Sequence, residues 1–508
     1  MMRQVTMAPN FGVRTGLAVL LTAAADFLLF DRPVGLSLLL FAALLFAGIT
    51  VANSPHHDRS LLFRCLLIPA GLLPLAENVS ALSVSMALIS LALFALASAR
   101  RLRAGLAHRT LQIPAFLLAA PFRFPMDIRR WRRASKRMGR ATIRLIGMIG
   151  WIMPVSLAAV FVALFGIANP VVEHWLSLLD PWALLELLGF WRTLFWIIAA
   201  LYIWAFLRPR APNIRVRSLM TVPPLSRPVA APDRLHEALF GKKAILRALL
   251  VFNLIFAVQT VLDGAYLWGG VALPDGLTYA GYAHRGAYPL IVTALLAACF
   301  VLAAMRPGST IAADRPIRLL VYLWTVQNIV LVASSILRLD LYVGIYSLTY
   351  WRVAAFVWMM LVAAGLALIM ARIALQKPNS WLMAANLLTL SLTLYACCFV
   401  NFAGLIADYN VRHSFEMSGR GQQLDRSYLF ALGPEAVPAI DVLLKDAKFG
   451  RVADAIWLRR ERGSLAARHR ERSAEWRAWT FRGWRLSRYL ERNPASPFPM
   501  DPPPRFDR

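Results

Sequence analysis

Ten residues could carry chemistry in an otherwise apolar chain, because each can hold a charge, move a proton or contact an ion: Asp263, Tyr282, His284, Arg285, Tyr350, Arg352, Asn401, Asp408, Tyr409 and Asn410. All map to the ends of apolar segments, where a charge is cheaper to place than at the centre of a bilayer. Three kinds of chemistry are open to them. A carboxylate and a guanidinium can pair, Asp263 with Arg285 or Asp408 with Arg352, each lowering the cost of desolvating the other. The same side chains can frame a polar pocket for a ligand or ion. Asp263 with His284 is the pair that a transferase acting on a lipid-linked substrate would need for acid–base work at an interface.

Other signatures of catalysis are missing. No nucleotide-binding glycine loop, HExxH, GxSxG or kinase set occurs, and Gly269 with Gly270 lacks the strand and helix that a phosphate loop requires. His56 and His57 have only Asp58 as a neighbour at ligand spacing, so they read as solvated residues. Cys65, Cys299, Cys397 and Cys398 all fall in apolar runs and read as small buried hydrophobes. The expectation is a chain with no metal and no cofactor, leaning away from an enzyme.

The elements that position these residues are membrane spans. Hydrophobic residues make up 59% of 508 and charged ones 16%, and the mean hydropathy is +0.57, more apolar than soluble domains. A span needs about 20 apolar residues. Eleven segments qualify, at roughly 13–30, 34–52, 61–76, 80–99, 145–167, 189–207, 246–267, 287–305, 316–337, 352–373 and 381–406. The third holds Pro69 and Pro74 and is the one most open to kinking or re-entry. The fold class is therefore all-α: a polytopic transmembrane bundle over residues 1–406, a small helical extracytoplasmic tail over 407–490, and a Pro-rich, disordered end at 491–508. The first span follows Arg14 without a clear cleavage site, so it is read as retained.

The net charge of +28 sits mainly in connections, where anionic lipid explains it better than nucleic acid. Basic loops at 100–144 and 208–243 place those segments in the cytoplasm by the positive-inside rule, which puts the N-terminus in and the C-terminus out. In the first loop, Leu111 to Ala120 is apolar but too short to span and is closed by Pro121 and Pro125, so it reads as interfacial. Arg129, Arg130, Arg132, Arg133, Lys136 and Arg137 around Trp131 are then the lipid-headgroup contacts, at about 1 kcal/mol each. Residues 169–189, with Trp175 and Trp182, read as a second interfacial helix. In the tail, residues 432–449 form an amphipathic helix with Val437, Ile440, Leu443 and Leu444 on one face, similar to one unit of a HEAT-type repeat but without a second copy.

Three segments carry a resemblance: YLWGGVALPDGLTYAGYAHRGAYPLIVTALLAA (266–298), LTYWRVAAFVWMMLVAAGLALI (348–369) and NFAGLIADYNVRHS (401–414). Together with DRSYLFALGPEAVPAI they resemble a bacterial family of multi-pass membrane proteins known only as a domain of unknown function, over about 240–445. The resemblance implies an inner-membrane protein, supplies no activity, and draws attention to Gly286 beside the polar residues already named. The leading reading is a non-enzymatic envelope scaffold or signalling component whose tail binds an envelope protein. A solute transporter is the alternative, from Asn253, Gln259, Gln327 and Asn328 within spans and from Pro69, Pro74 and Pro154. The lipid-linked transferase stands third.

Sidedness underlies each of these. Reporter fusions or cysteine labelling at Arg3 and Arg133 are expected to read cytoplasmic, and at Asp275 and Arg508 extracytoplasmic. A cytoplasmic Arg508 contradicts eleven spans.

Overall fold

The computed structural model describes residues 11–53, 60–99, 101, 106–137, 189–210, 241–265, 314–419, 421–446 and 452–494. Their regular structure is entirely helical, as lipid demands of segments that must close their own backbone hydrogen bonds. The chain divides into two units, residues 1–216 with 475–481 and residues 217–474 with 482–508.

The first unit holds α1 (Phe11–Leu29), α2 (Leu36–Asn53), α3 (Ser60–Glu77), α4 (Ala81–Ser98), α5 (Leu106–Arg137) and α6 (Phe190–Leu207). Its core is built from Ile49, Leu75, Leu96, Phe116, Phe206 and Leu207, with Phe116 and Phe206 meeting edge to face at 5.4 Å. α3 and α4 pack closely because Gly71 lies against Ser90, whose Oγ is 2.2 Å from where a Cβ would stand. Ser80 caps α4 in a reciprocal box with Ser83. Residues 475–481 also lie here: Gly35 abuts the Ala478 carbonyl, leaving no room for a Cβ, and Arg477 covers the Phe27 ring at 4.7 Å.

The second unit holds α7 (Lys242–Asp263), α8 (Arg315–Tyr346), α9 (Tyr350–Ala374) and α10 (Asn379–Cys397), followed by α11 (Phe402–Arg412), α12 (Phe415–Ser418), α13 (Arg426–Ala431), α14 (Val437–Asp446), α15 (Val452–Ala474) and α16 (Phe481–Arg492). Trp324, Val321 and Leu249 centre one core among α7 to α10. A second core gathers Ile406, Val411, Leu429, Val437, Ile440, Leu443, Leu458 and Leu486 from the later helices, together with Val343 and Leu348 at the end of α8. Each such side chain contributes about 1.5–3 kcal/mol on burial. Val437, Ile440 and Leu443 of the expected amphipathic face are all inside.

Eight helices among the described residues are long and apolar enough to cross a membrane: α1, α2, α4, α6, α7, α8, α9 and α10. The expected spans at 145–167 and 287–305, and the interfacial helix at 169–189, lie outside the described residues. α3 keeps Pro69 and Pro74 inside one helix and is not among the eight.

Three boundaries differ from expectation. Pro121 and Pro125 do not close the apolar stretch of the first basic loop, since α5 runs on through Pro114, Pro121 and Pro125 to Arg137; each proline removes one ladder bond without ending the helix. Residues Arg129 to Arg137 occupy its last turns, and their side chains lie outside the described part. The segment 381–406 is two helices rather than one. α10 tightens through bonds from Cys398 and Phe399 N–H to the carbonyls of Tyr395 and Ala396, and Asn401 then caps α11 by accepting from Gly404 N–H at 3.1 Å. Finally, α8 outruns its expected end at 337 and carries Arg338 inside the helix.

The later helices are tied by one polar knot. Arg462, buried on α15, donates to both Asp441 carboxylate oxygens at 2.9 and 3.0 Å and to the Asn493 carbonyl at 2.6 Å, while Tyr489 Oη donates to Asp441 at 3.1 Å. Burial first, and then the Asp441 charge, push the Tyr489 phenol up to about 12. A phenol with its folded value above its unfolded value stabilises fully below pH 10 and loses that contribution as pH rises towards 12. Thermal melts followed by tryptophan fluorescence should therefore fall between pH 10 and about 12, and Tyr489→Phe should flatten that fall. An unchanged alkaline slope in the variant contradicts the knot.

Candidate functional site

The short connection between α8 and α9 collects more of the singled-out residues than any other described place. Ser347 there adopts φ 67° and ψ 169°, a conformation that costs a non-glycine residue about 1–3 kcal/mol and persists only where neighbours impose it. Three side chains do so. Arg352, in the first turn of α9, reaches back to donate to the carbonyls of Tyr346, at 2.5 Å, and Ser347, and its guanidinium covers the Tyr342 ring at 4.6 Å. Asn410, buried on α11, accepts from Leu348 N–H at 2.6 Å and donates to the Leu348 carbonyl at 2.9 Å. Tyr428 Oη accepts from Tyr350 N–H at 3.0 Å. One buried amide thus satisfies both backbone groups of Leu348, as a strand partner would.

Asp263 closes α7 at 1% exposure. Its carboxylate pairs with Arg338 of α8, 5% exposed, and accepts from Gln259 Nε2 at 2.9 Å. Arg285, the partner expected from sequence, lies outside the described residues with Tyr282 and His284. The alternative pair of Asp408 with Arg352 is not formed. Asp408 binds Arg412 one turn on, at 2.8 Å with both side chains half exposed, a pair worth little, and Arg352 is committed to carbonyls. Tyr409 stacks on His413 at 4.1 Å, and burial, reinforced by the Asp340 charge, raises its phenol above the ordinary value. Asn401 acts as the α11 cap.

Arg352 and Asn410 therefore converge on one turn, Asp263 pairs separately, and Asp408, Tyr409 and Asn401 serve α11 itself. Two participants escaped the sequence reading. Arg338 had a signal: it is the only cation between Arg318 and Arg352. Asp127 had one too, as the only acid among the thirteen basic residues of 100–144. It is 2% exposed in the first unit, pairs with Arg210 at 2.7 Å and Arg208 at 3.3 Å, and accepts from Trp204 Nε1 at 3.3 Å. Among the described residues no three His, Cys, Asp or Glu side chains gather as metal ligands.

A family model described as Domain of unknown function (DUF4153) matches residues 65–443, and the chain belongs to that family. The match reaches well N-terminal of the 240–445 stretch to which the motifs pointed. No curated protein and no solved structure matches the chain.

Breaking a buried ion pair from one side strands the other charge, at about 3–5 kcal/mol. Asp263→Ala and Arg338→Ala should each lower thermal stability in detergent by that order, and the double variant should lose less than the sum. Strictly additive losses show that the two do not interact.

Proposed function

We propose that this multi-pass membrane protein is a non-enzymatic scaffold of the bacterial cytoplasmic membrane, with its N-terminus inside and its helical tail outside, docking an envelope protein. The observation that supports the reading is the second core of the later unit. Its helices share buried side chains with the end of α8 and are clamped to the α8–α9 turn by Asn410 and Tyr428, so the tail is held rigid on the ends of the spans. On this frame Trp457 and Trp484 stay exposed at 40% and 42%, and exposed aromatics on a rigid support are what interfaces select for. Sidedness follows from the basic loops at 100–144 and 208–243 facing the cytoplasm. Arg129, Arg130, Arg132, Arg133, Lys136 and Arg137, in the last turns of α5, are then the contacts with anionic headgroups.

A solute transporter is the second reading, and one observation favours it. Asn253 and Asn328 donate to helix carbonyls, as does Gln327 across to the Asn253 carbonyl. Their oxygens Asn253 Oδ1, Gln327 Oε1 and Asn328 Oδ1, with Trp324 Nε1, are buried with no hydrogen-bond partner among the described residues. Unmatched groups between two spans are where a transported solute could bind. No such observation supports the transferase, since His284 lies outside the described residues and Asp263 is engaged by Arg338.

A photo-crosslinking residue at Trp457 or Trp484 should give a discrete adduct with an envelope protein in cells. Trp457→Ala with Trp484→Ala should abolish the partner's co-purification without changing the melting temperature. No adduct from either position, with solute flux in liposomes that Asn328→Leu removes, overturns the scaffold in favour of the transporter.

A further inference from the structure

The first unit contains an apolar groove that ends near a cluster of arginines around one acid. The groove, with a volume of about 590 Å³, runs between α1 and α6 from Thr15 to Asp26 on one wall and from Trp196 to Trp204 on the other, with Phe124 of α5 at one end. The eleven helical steps from Thr15 to Asp26 rise about 16 Å, close to the acyl depth of one leaflet of a hydrocarbon layer about 30 Å thick. Its two ends differ in charge. At the Asp26 end, Arg192 and Trp196 Nε1 both donate to the Asp26 carboxylate, at 2.5 to 2.8 Å, so one cation meets one anion. At the Trp204 end, Arg14, Arg123, Arg208 and Arg210 surround the single carboxylate of Asp127. Among the described residues these four cations face one anion.

That cluster is built into the protein rather than spread over its surface. Arg123 is 5% exposed, lies over the Phe116 ring at 4.4 Å, and leaves Nη1 buried without a hydrogen-bond partner among the described residues; Nε of Arg14 is in the same position. Burial, reinforced by Arg210 and opposed by Asp127, depresses the Arg123 guanidinium to about 10. It stays charged at neutral pH, with Asp127 the one acid acting on it among the described residues. Trp204 links groove and cluster, lining the first and donating to Asp127 in the second, and Phe124 and Thr15 of the groove are the chain neighbours of Arg123 and Arg14. Guanidinium groups favour phosphate through several charge-assisted hydrogen bonds.

We propose that this groove is a binding site for one anionic phospholipid, its acyl chain between α1 and α6 and its phosphate held by Arg123 with Arg14, Arg208 and Arg210. The proposal stands apart from the scaffold reading, because it uses none of the tail.

The full chain, purified in mild detergent and delipidated, is titrated with phosphatidylglycerol, with phosphatidylcholine or with inorganic phosphate alone, and bound lipid is counted by native mass spectrometry. One phosphatidylglycerol per chain should bind roughly tenfold more tightly than phosphatidylcholine, with inorganic phosphate failing to compete at equal concentration. Arg123→Gln should lose that preference by a similar factor. Ala23→Trp, which fills the groove while leaving the arginines in place, should lose the lipid with its melting temperature in lipid-free detergent unchanged, so that loss of binding is separated from loss of folding. Equal retention of both lipids, unchanged binding in a folded Ala23→Trp protein, or displacement by inorganic phosphate alone overturns the proposal.

Discussion

A bilayer core supplies no water, so every polar group carried into it must find its partner inside the protein. The backbone meets this requirement by forming long apolar helices, and the architecture follows from that. Charges meet it by pairing with partners from other segments: Asp26 with Arg192, Asp127 with Arg208 and Arg210, Asp263 with Arg338. Asp26 and Asp263 lie in the last turns of their helices, consistent with the steep cost of a charge at the bilayer centre. Polar residues deeper in, such as Asn253 and Thr325, turn to carbonyls one turn back on their own helix.

The same requirement shapes the turn at Ser347. Leu348 is buried and cannot use water for its backbone groups; Asn410 stands in for it, while Arg352 and Tyr428 bond the more exposed backbone on either side. These three come from α11, α9 and α13, so fixing the turn also fixes the start of the later helices on the end of α8. Membrane helices and later helices thus share one core in the second unit.

How much of this was legible in sequence depends on the range of the interaction. Helices announced themselves through uninterrupted apolar length, and the face of α14 through the spacing of Val437, Ile440 and Leu443. Prolines misled: Pro121 and Pro125 suggested a helix end, yet a proline in a long helix removes one bond and leaves the rest. The break after Cys397 was hidden because Asn401 caps a helix whose residues, FAGLIA, are as apolar as those of a span. Arg352 and Asn410 were recognised as unusual, but their roles depend on three-dimensional partners that spacing does not encode. Arg338 was passed over because it was placed in a loop, when an extended α8 carries it to Asp263.

The central claim is that the later helices and the ends of the membrane helices form one cooperative unit. Hydrogen–deuterium exchange of the intact protein in nanodiscs tests it most directly, since amides exchange through the opening of the unit that holds them. The account predicts that residues 403–411 and 437–444 exchange as slowly as the described ends of α8 and α9, and that Asn410→Ala speeds all of them together. Rapid exchange across 403–444 in the unaltered protein, with α8 and α9 protected, contradicts it.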